Sequence, residues 1–107
     1  MSGLELSELQ RAVDEVATSW PDVHGKQVFG HRGWVKGGKM FGFAAEGGIA
    51  VRALDGAMSK ELYALPGAVA FVYNEGMEMT GWPVLPLADE AQLEQVLSAL
   101  RRTYEAL

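Results

Sequence analysis

The sequence predicts an α+β domain in which helices pack on a five-stranded antiparallel sheet, in the order α-β-β-β-α-β-β-α. Amphipathic segments lie near both ends of the chain, and short segments rich in β-favoured residues fill the middle. Glycine pairs separate several of these segments, where tight hairpin turns need positive φ angles. Because the hairpin strands are segregated from the helices, we expect two packed layers and not a doubly wound parallel sheet.

Length and composition favour one globular domain over residues 1–107. A chain of 107 residues is long enough to bury one core and too short for two ordinary ones. Hydrophobic residues make up 49% of the chain and charged residues 21%, as in folded domains rather than disordered segments.

The first half of the chain predicts one helix and three strands. Apolar residues at spacings of three and four predict the helix, which Pro21 ends; they are Leu6, Leu9, Val13, Val16 and Trp20. The strands are predicted over 28–35, 40–43 and 49–54, with turns at Gly37-Gly38 and Gly47-Gly48. In the second strand, alternation predicts Phe41 and Phe43 on one face, turned towards the helices.

The second half predicts a short helix, two strands and a long helix. The short helix covers 57–64 and precedes Pro66-Gly67, and alternating apolar residues predict a strand over 68–73. Pro83 cannot donate a ladder hydrogen bond, so the strand over 77–85 is expected at a sheet edge or shortened. Asp89 and Gln92 form a capping pair that opens the last helix.

Charge and cysteine content exclude several classes of function. Nine Lys and Arg against fourteen Asp and Glu give a net charge of −5, which disfavours nucleic acid as a partner of this chain alone. The chain has no cysteine, so it holds no disulfide, thiolate nucleophile, Fe–S cluster or cysteine-type zinc site. No segment approaches the roughly 20 apolar residues of a membrane span. These observations favour a cytoplasmic protein without a membrane partner.

No motif specifies a reaction, and we expect no catalytic residue, cofactor or metal site. Gly38-Lys39 is followed by Met40 and not by the Ser or Thr of a phosphate-binding loop. His24 and His31 lack the spaced second ligands of a metal centre. The serines stand in no nucleophile-elbow context.

Four residues are candidates for a ligand or partner surface: His31, Arg32, Trp34 and Trp82. A cation beside an imidazole and near Trp34 suits an anionic group of a ligand or partner. The alternative is that His31 and Arg32 are strand-surface residues without a function. Trp82 is either exposed beside a sheet edge, as an association surface, or buried under the last helix.

The order of elements and three short motifs resemble the N-terminal domain family of TfoX (Sxy). The motifs are Val28-Phe29-Gly30, then Lys36-Gly37-Gly38-Lys39-Met40-Phe41, then Phe71-Val72-Tyr73. The resemblance implies a two-layer α+β fold with a five-stranded antiparallel sheet, no enzymatic activity, and a regulatory role in bacteria, where family members control competence. The YjbR/MmcQ-like family, described in part as DNA-binding, is a related alternative with a similar Gly-Lys-Met-Phe strand.

Two functions therefore remain open. The first is a non-catalytic protein-interaction or regulatory module that acts through a sheet edge or an aromatic surface, on a protein partner or as a homodimer. The second is a small-ligand-binding domain with a cleft between sheet and helices, lined by Phe41, Phe43 and Tyr73 with Arg32 at its mouth.

Overall fold

The computed structural model describes residues 6–28, 30–74 and 76–107 and has the expected α+β architecture. Phe29 of the family-like motif lies outside the described residues, as does Glu75. The helices are α1 (Glu8–Ser19), α2 (Gly56–Tyr63) and α3 (Glu90–Ala106). The strands are β1 (Val23–Val28), β2 (His31–Lys36), β3 (Lys39–Ala45), β4 (Gly48–Val51), β5 (Val69–Asn74) and β6 (Met77–Pro86).

The described residues form one antiparallel sheet in the order β1-β2-β3-β4-β6-β5. The sheet has six strands and not the expected five. The strand expected over 28–35 begins only at His31, as β2, and an additional strand precedes it. Residues before it form β1, which pairs antiparallel with β2 from Val23↔Lys36 to Val28↔His31. The segment of β1 was missed because His24, Gly25, Lys26 and Gln27 carry no apolar alternation.

All three helices pack on one face of the sheet and build the main core there. Ser7 and Gln10 form a capping box at the start of α1. The Asp89 carboxylate caps α3 by accepting a hydrogen bond from the backbone N–H of Gln92 at 2.8 Å. The largest fully buried side chains of this core come from both layers; they are Val13, Trp34, Phe41, Ile49, Val51, Leu85, Val96 and Leu100.

Phe41 and Phe43 lie on opposite faces of the sheet, so the expectation that they share one is wrong. Trp34 pairs with Gly42 but Val35 pairs with Met40, which leaves Phe41 as the extra residue of a β-bulge. The bulge interrupts the alternation of side chains. Phe41 therefore joins the core under the helices, whereas Phe43 joins a smaller cluster on the face that carries no helix.

Strand β6 lies between β4 and β5 and covers ten residues, so the expectation that Pro83 places it at an edge or shortens it is wrong. Ala70 pairs with Pro83 but Phe71 pairs with Met79. Thr80, Gly81 and Trp82 therefore have no partner on β5, and the proline stands where the ladder is already interrupted. The terminal strands are β1 and β5.

The sheet curls towards its helix-free face. Strands about 4.8 Å apart would separate β2 from β5 by about 19 Å in a flat sheet, since three strands lie between them. The ring centroids of His31 on β2 and Phe71 on β5 are nevertheless 6.0 Å apart. The bulges in β3 and β6 increase the local twist and allow this curvature.

Candidate interaction site

The helix side of β2 holds two of the four candidate residues, and one of them is fully buried. Trp34 is 0% exposed, and its indole Nε1 donates to Asp14 Oδ1 at 2.8 Å. Arg32 Nε donates to the same oxygen at 2.9 Å. Trp34 therefore reaches no surface, and the Arg32 guanidinium is engaged in joining β2 to α1.

His31 lies on the opposite, helix-free face, because successive residues of a strand point to opposite sides. Its ring centroid is 6.0 Å from those of both Phe43 and Phe71. Its Nδ1 atom is buried and has no hydrogen-bond partner within the described part of the chain. The structure therefore separates His31 from Arg32, and the two side chains do not form a joint anion site.

Trp82 also lies on the helix-free face, with its ring centroid 5.3 Å from that of Phe43. It is partly buried, and it packs neither under the last helix nor at an edge strand. The cleft proposed for a small ligand is not formed, since Phe41 and Phe43 face opposite layers. His31 and Trp82 are the two candidates that the fold brings to one face.

Sequence reasoning missed the most exposed apolar surface, which lies on β5. Val69 is 59% exposed, Val72 51% and Tyr73 46%, on a strand that ends the sheet. The sequence feature that could have identified this surface is the absence of any charged residue in Val69–Asn74. Natural edge strands usually carry a lysine, a proline or an inward-pointing charge that prevents pairing with another chain. None of the described residues Val69–Asn74 is a lysine, a proline or a charged residue.

A cavity of about 360 Å³, which we call the edge groove, runs along β5 on the helix-free side. Its lining includes all five residues 69–73, together with His31, Ala45, Glu46 and Val84. Because the side chains of a strand alternate between faces, a cavity lined by five successive residues follows the strand edge. The edge groove therefore extends along β5 over these five residues.

A second cavity of about 600 Å³, which we call the outer cavity, adjoins β5 on the side of α2. It shares Val69 and Ala70 with the edge groove and is lined further by Asp55, Tyr63 and Glu78 among other residues. Burial raises the pKa of Tyr63, and the negative charge of Glu78 adds to that rise. The Tyr63 hydroxyl donates to the Thr80 carbonyl at 2.8 Å.

The charged residues that line the two cavities are all acidic. Glu46 lines the edge groove, and Asp55 and Glu78 line the outer cavity. No Lys or Arg of the described ranges lines either one. The surface around β5 is thus apolar along the strand and negative on both sides of it.

Other features of the described residues offer weaker sites. A third cavity between α2 and α3 contains the Arg102–Glu61 ion pair, and the carboxylate of Glu94 also lines it. Residues 6–28, 30–74 and 76–107 bring no group of three or more His, Asp or Glu together for a metal ion. Within the same ranges, none of the helices has the length and apolar character needed to cross a membrane.

No protein-family model matches the chain, and no curated protein sequence matches it significantly.

Proposed function

We propose that this chain is a non-catalytic interaction module that binds an extended segment of a partner protein along the edge of β5. The observation that carries the proposal is the exposure of Val69 and Val72 on a terminal strand without a charged residue. The exposed side chains of β5 are aliphatic and aromatic, and they provide contact area for a partner. The regulatory, TfoX-like role and the cytoplasmic location expected from the sequence belong to the same proposal.

Strand addition explains the form of the edge groove. In this mode an extended peptide pairs with the free edge of a sheet through main-chain hydrogen bonds, and pockets beside the edge receive alternate side chains. The edge groove lies on one side of β5 and the outer cavity on the other. A segment paired with β5 would direct its alternate side chains into these two cavities.

A protein partner is favoured over a second copy of the chain. Two copies would each bring a net charge of −5 and the same acidic side chains to the contact, and like charges oppose association. Nucleic acid is disfavoured by the same negative charge.

The test is a peptide selection followed by binding measurements. Peptides selected from a random heptapeptide display library on the full chain are synthesised, and their affinities are measured by fluorescence anisotropy. We expect Val72→Lys to weaken binding by about tenfold, or about 1.4 kcal/mol, because lysine at an edge opposes strand pairing. Val16→Lys is the matched control, since Val16 is exposed on α1, away from β5.

Three results would contradict the proposal. Selected peptides that fail to bind in solution would overturn it, as would equal affinities for wild type and Val72→Lys. Sedimentation velocity should show that the chain is a monomer. A dimer that the Val72→Lys substitution dissociates would contradict this and would identify a second copy of the chain, and not a partner protein, as the molecule bound at β5.

A further inference from the structure

We infer that the segment bound at β5 is basic, with lysine or arginine at alternate positions between apolar residues. This inference rests on the proposed function and adds the chemistry of the partner. It follows from the arrangement of acidic side chains on both sides of one apolar edge.

Each of the two sides of β5 has its own acidic side chains. On the helix-free side Glu46 lies in the turn after β3 and lines the edge groove. On the other side Asp55 at the start of α2 and Glu78 on β6 line the outer cavity. Glu46 and Glu78 are exposed, so their carboxylates can pair with a ligand, whereas the Asp55 carboxylate already caps α2 by accepting from the Met58 backbone N–H at 2.8 Å.

The side chains of a bound strand alternate between the two sides of the sheet, so this arrangement of acidic residues selects for basic residues at alternate positions. A paired strand places residues i and i+2 on one side of the sheet and residues i+1 and i+3 on the other. Both sides of β5 carry an acidic residue. The basic side chains of the segment therefore lie beside an acid, whichever of the two sides they occupy. The apolar residues between them then face Val69 and Phe71 on one side or Val72 on the other.

His31 also lines the edge groove. His31 Nδ1 is buried beside the groove without a hydrogen-bond partner in the described ranges. Buried polar atoms usually have a hydrogen-bond partner, so this nitrogen is an exception among the described residues.

Two fluorescein-labelled heptapeptides test the inference, one alternating valine with lysine and the other alternating valine with glutamate. We expect the lysine peptide to bind the full chain about tenfold more tightly or better, because complementary charges attract and like charges repel. The difference should shrink when salt rises from 50 to 500 mM, since salt screens exposed charges, with a Debye length of about 10 Å at 0.1 M.

Charge-reversal variants locate the effect. Glu46→Lys and Glu78→Lys should each weaken binding of the lysine peptide roughly two- to fivefold, as expected for exposed ion pairs. Glu15→Lys is the matched control, because it makes the same change in net charge at an exposed position on α1. It should change the affinity by less than about twofold, since distant exposed charges are screened.

The outcomes separate the two proposals. Equal binding of the lysine and glutamate peptides, or an equal loss in Glu15→Lys, overturns the basic preference alone. The preference also fails if neither alternating peptide binds while peptides from the display selection do. If no peptide of either kind binds, the proposed function fails together with the inference.

Discussion

At the scale of single residues, Asp14 fixes the orientation of β2 against α1. One carboxylate oxygen accepts from Trp34 Nε1 at 2.8 Å and from Arg32 Nε at 2.9 Å. In Asp14→Ala the buried indole N–H of Trp34 loses its partner. We expect the free energy of unfolding, measured by urea denaturation, to fall by about 1–3 kcal/mol, the cost of an unsatisfied buried donor.

Two neighbouring variants identify which of the two bonds matters. Arg32→Ala should cost less than about 1 kcal/mol, because the Arg32 side chain is 39% exposed and exposed ion pairs contribute little. Glu15→Ala, one residue along α1 and exposed, should stay within about 0.5 kcal/mol of wild type. A larger loss in Arg32→Ala than in Asp14→Ala would contradict this account.

At the scale of elements, β4 and β6 approach each other so closely at Gly48 that no side chain fits there. A Cβ added at Gly48 would overlap the carbonyl group of Leu85, which belongs to the backbone of β6. The two strands pair at Gly48↔Pro86 and Ile49↔Leu85, so relief of the overlap requires these pairs to separate. Gly48→Ala should therefore lower the free energy of unfolding by about 1–3 kcal/mol.

Gly81→Ala is the control for this prediction. A Cβ at Gly81 meets no atom within 4 Å, and its backbone lies outside the left-handed region. Thermal unfolding of Gly81→Ala should match wild type to within about 0.5 kcal/mol, or show the small gain that a restricted unfolded chain brings. Equal destabilisation of the two variants would show that close strand approach is not the cause.

The helices and one hairpin of the fold follow from the sequence, whereas two features of the strands do not. The apolar stripes of α1 and α3 and the capping pair of α3 predict both helices, and Gly37 and Gly38 have the positive φ angles of 58° and 81° that their hairpin requires. Phe41 faces the helices as expected, but the opposite face of Phe43 was not predictable, because nothing in the local pattern marks the bulge in β3. Pro83 gave the wrong position for β6, because the three residues before it leave the β5 ladder.

At the scale of the whole molecule, the curled sheet brings distant strands together and creates the edge groove. Phe71 on β5 contacts Phe43 on β3 edge-on at 4.8 Å and His31 on β2 at 6.0 Å. No sequence pattern predicts these contacts, because they depend on the combined twist of six strands and on bulges that shift the registers. The candidate site could therefore be identified only after the fold was known.

This curvature predicts that Phe71→Ala loosens β5 more than the rest of the sheet. The substitution removes the ring that joins β5 to β2 and β3, while the pairing of β3 with β4 and the core under the helices stay intact. Native-state amide exchange should show protection in β5 lowered by about 3 kcal/mol, the lower end of the cost of a buried Phe→Ala change, with a smaller change in β3 and β4. Val96→Ala is the control, since Val96 is fully buried on the helix side and should lower protection in all three strands together. If Phe71→Ala also lowers protection evenly in β3, β4 and β5, the edge strand is not held separately, and the edge groove does not depend on this aromatic contact.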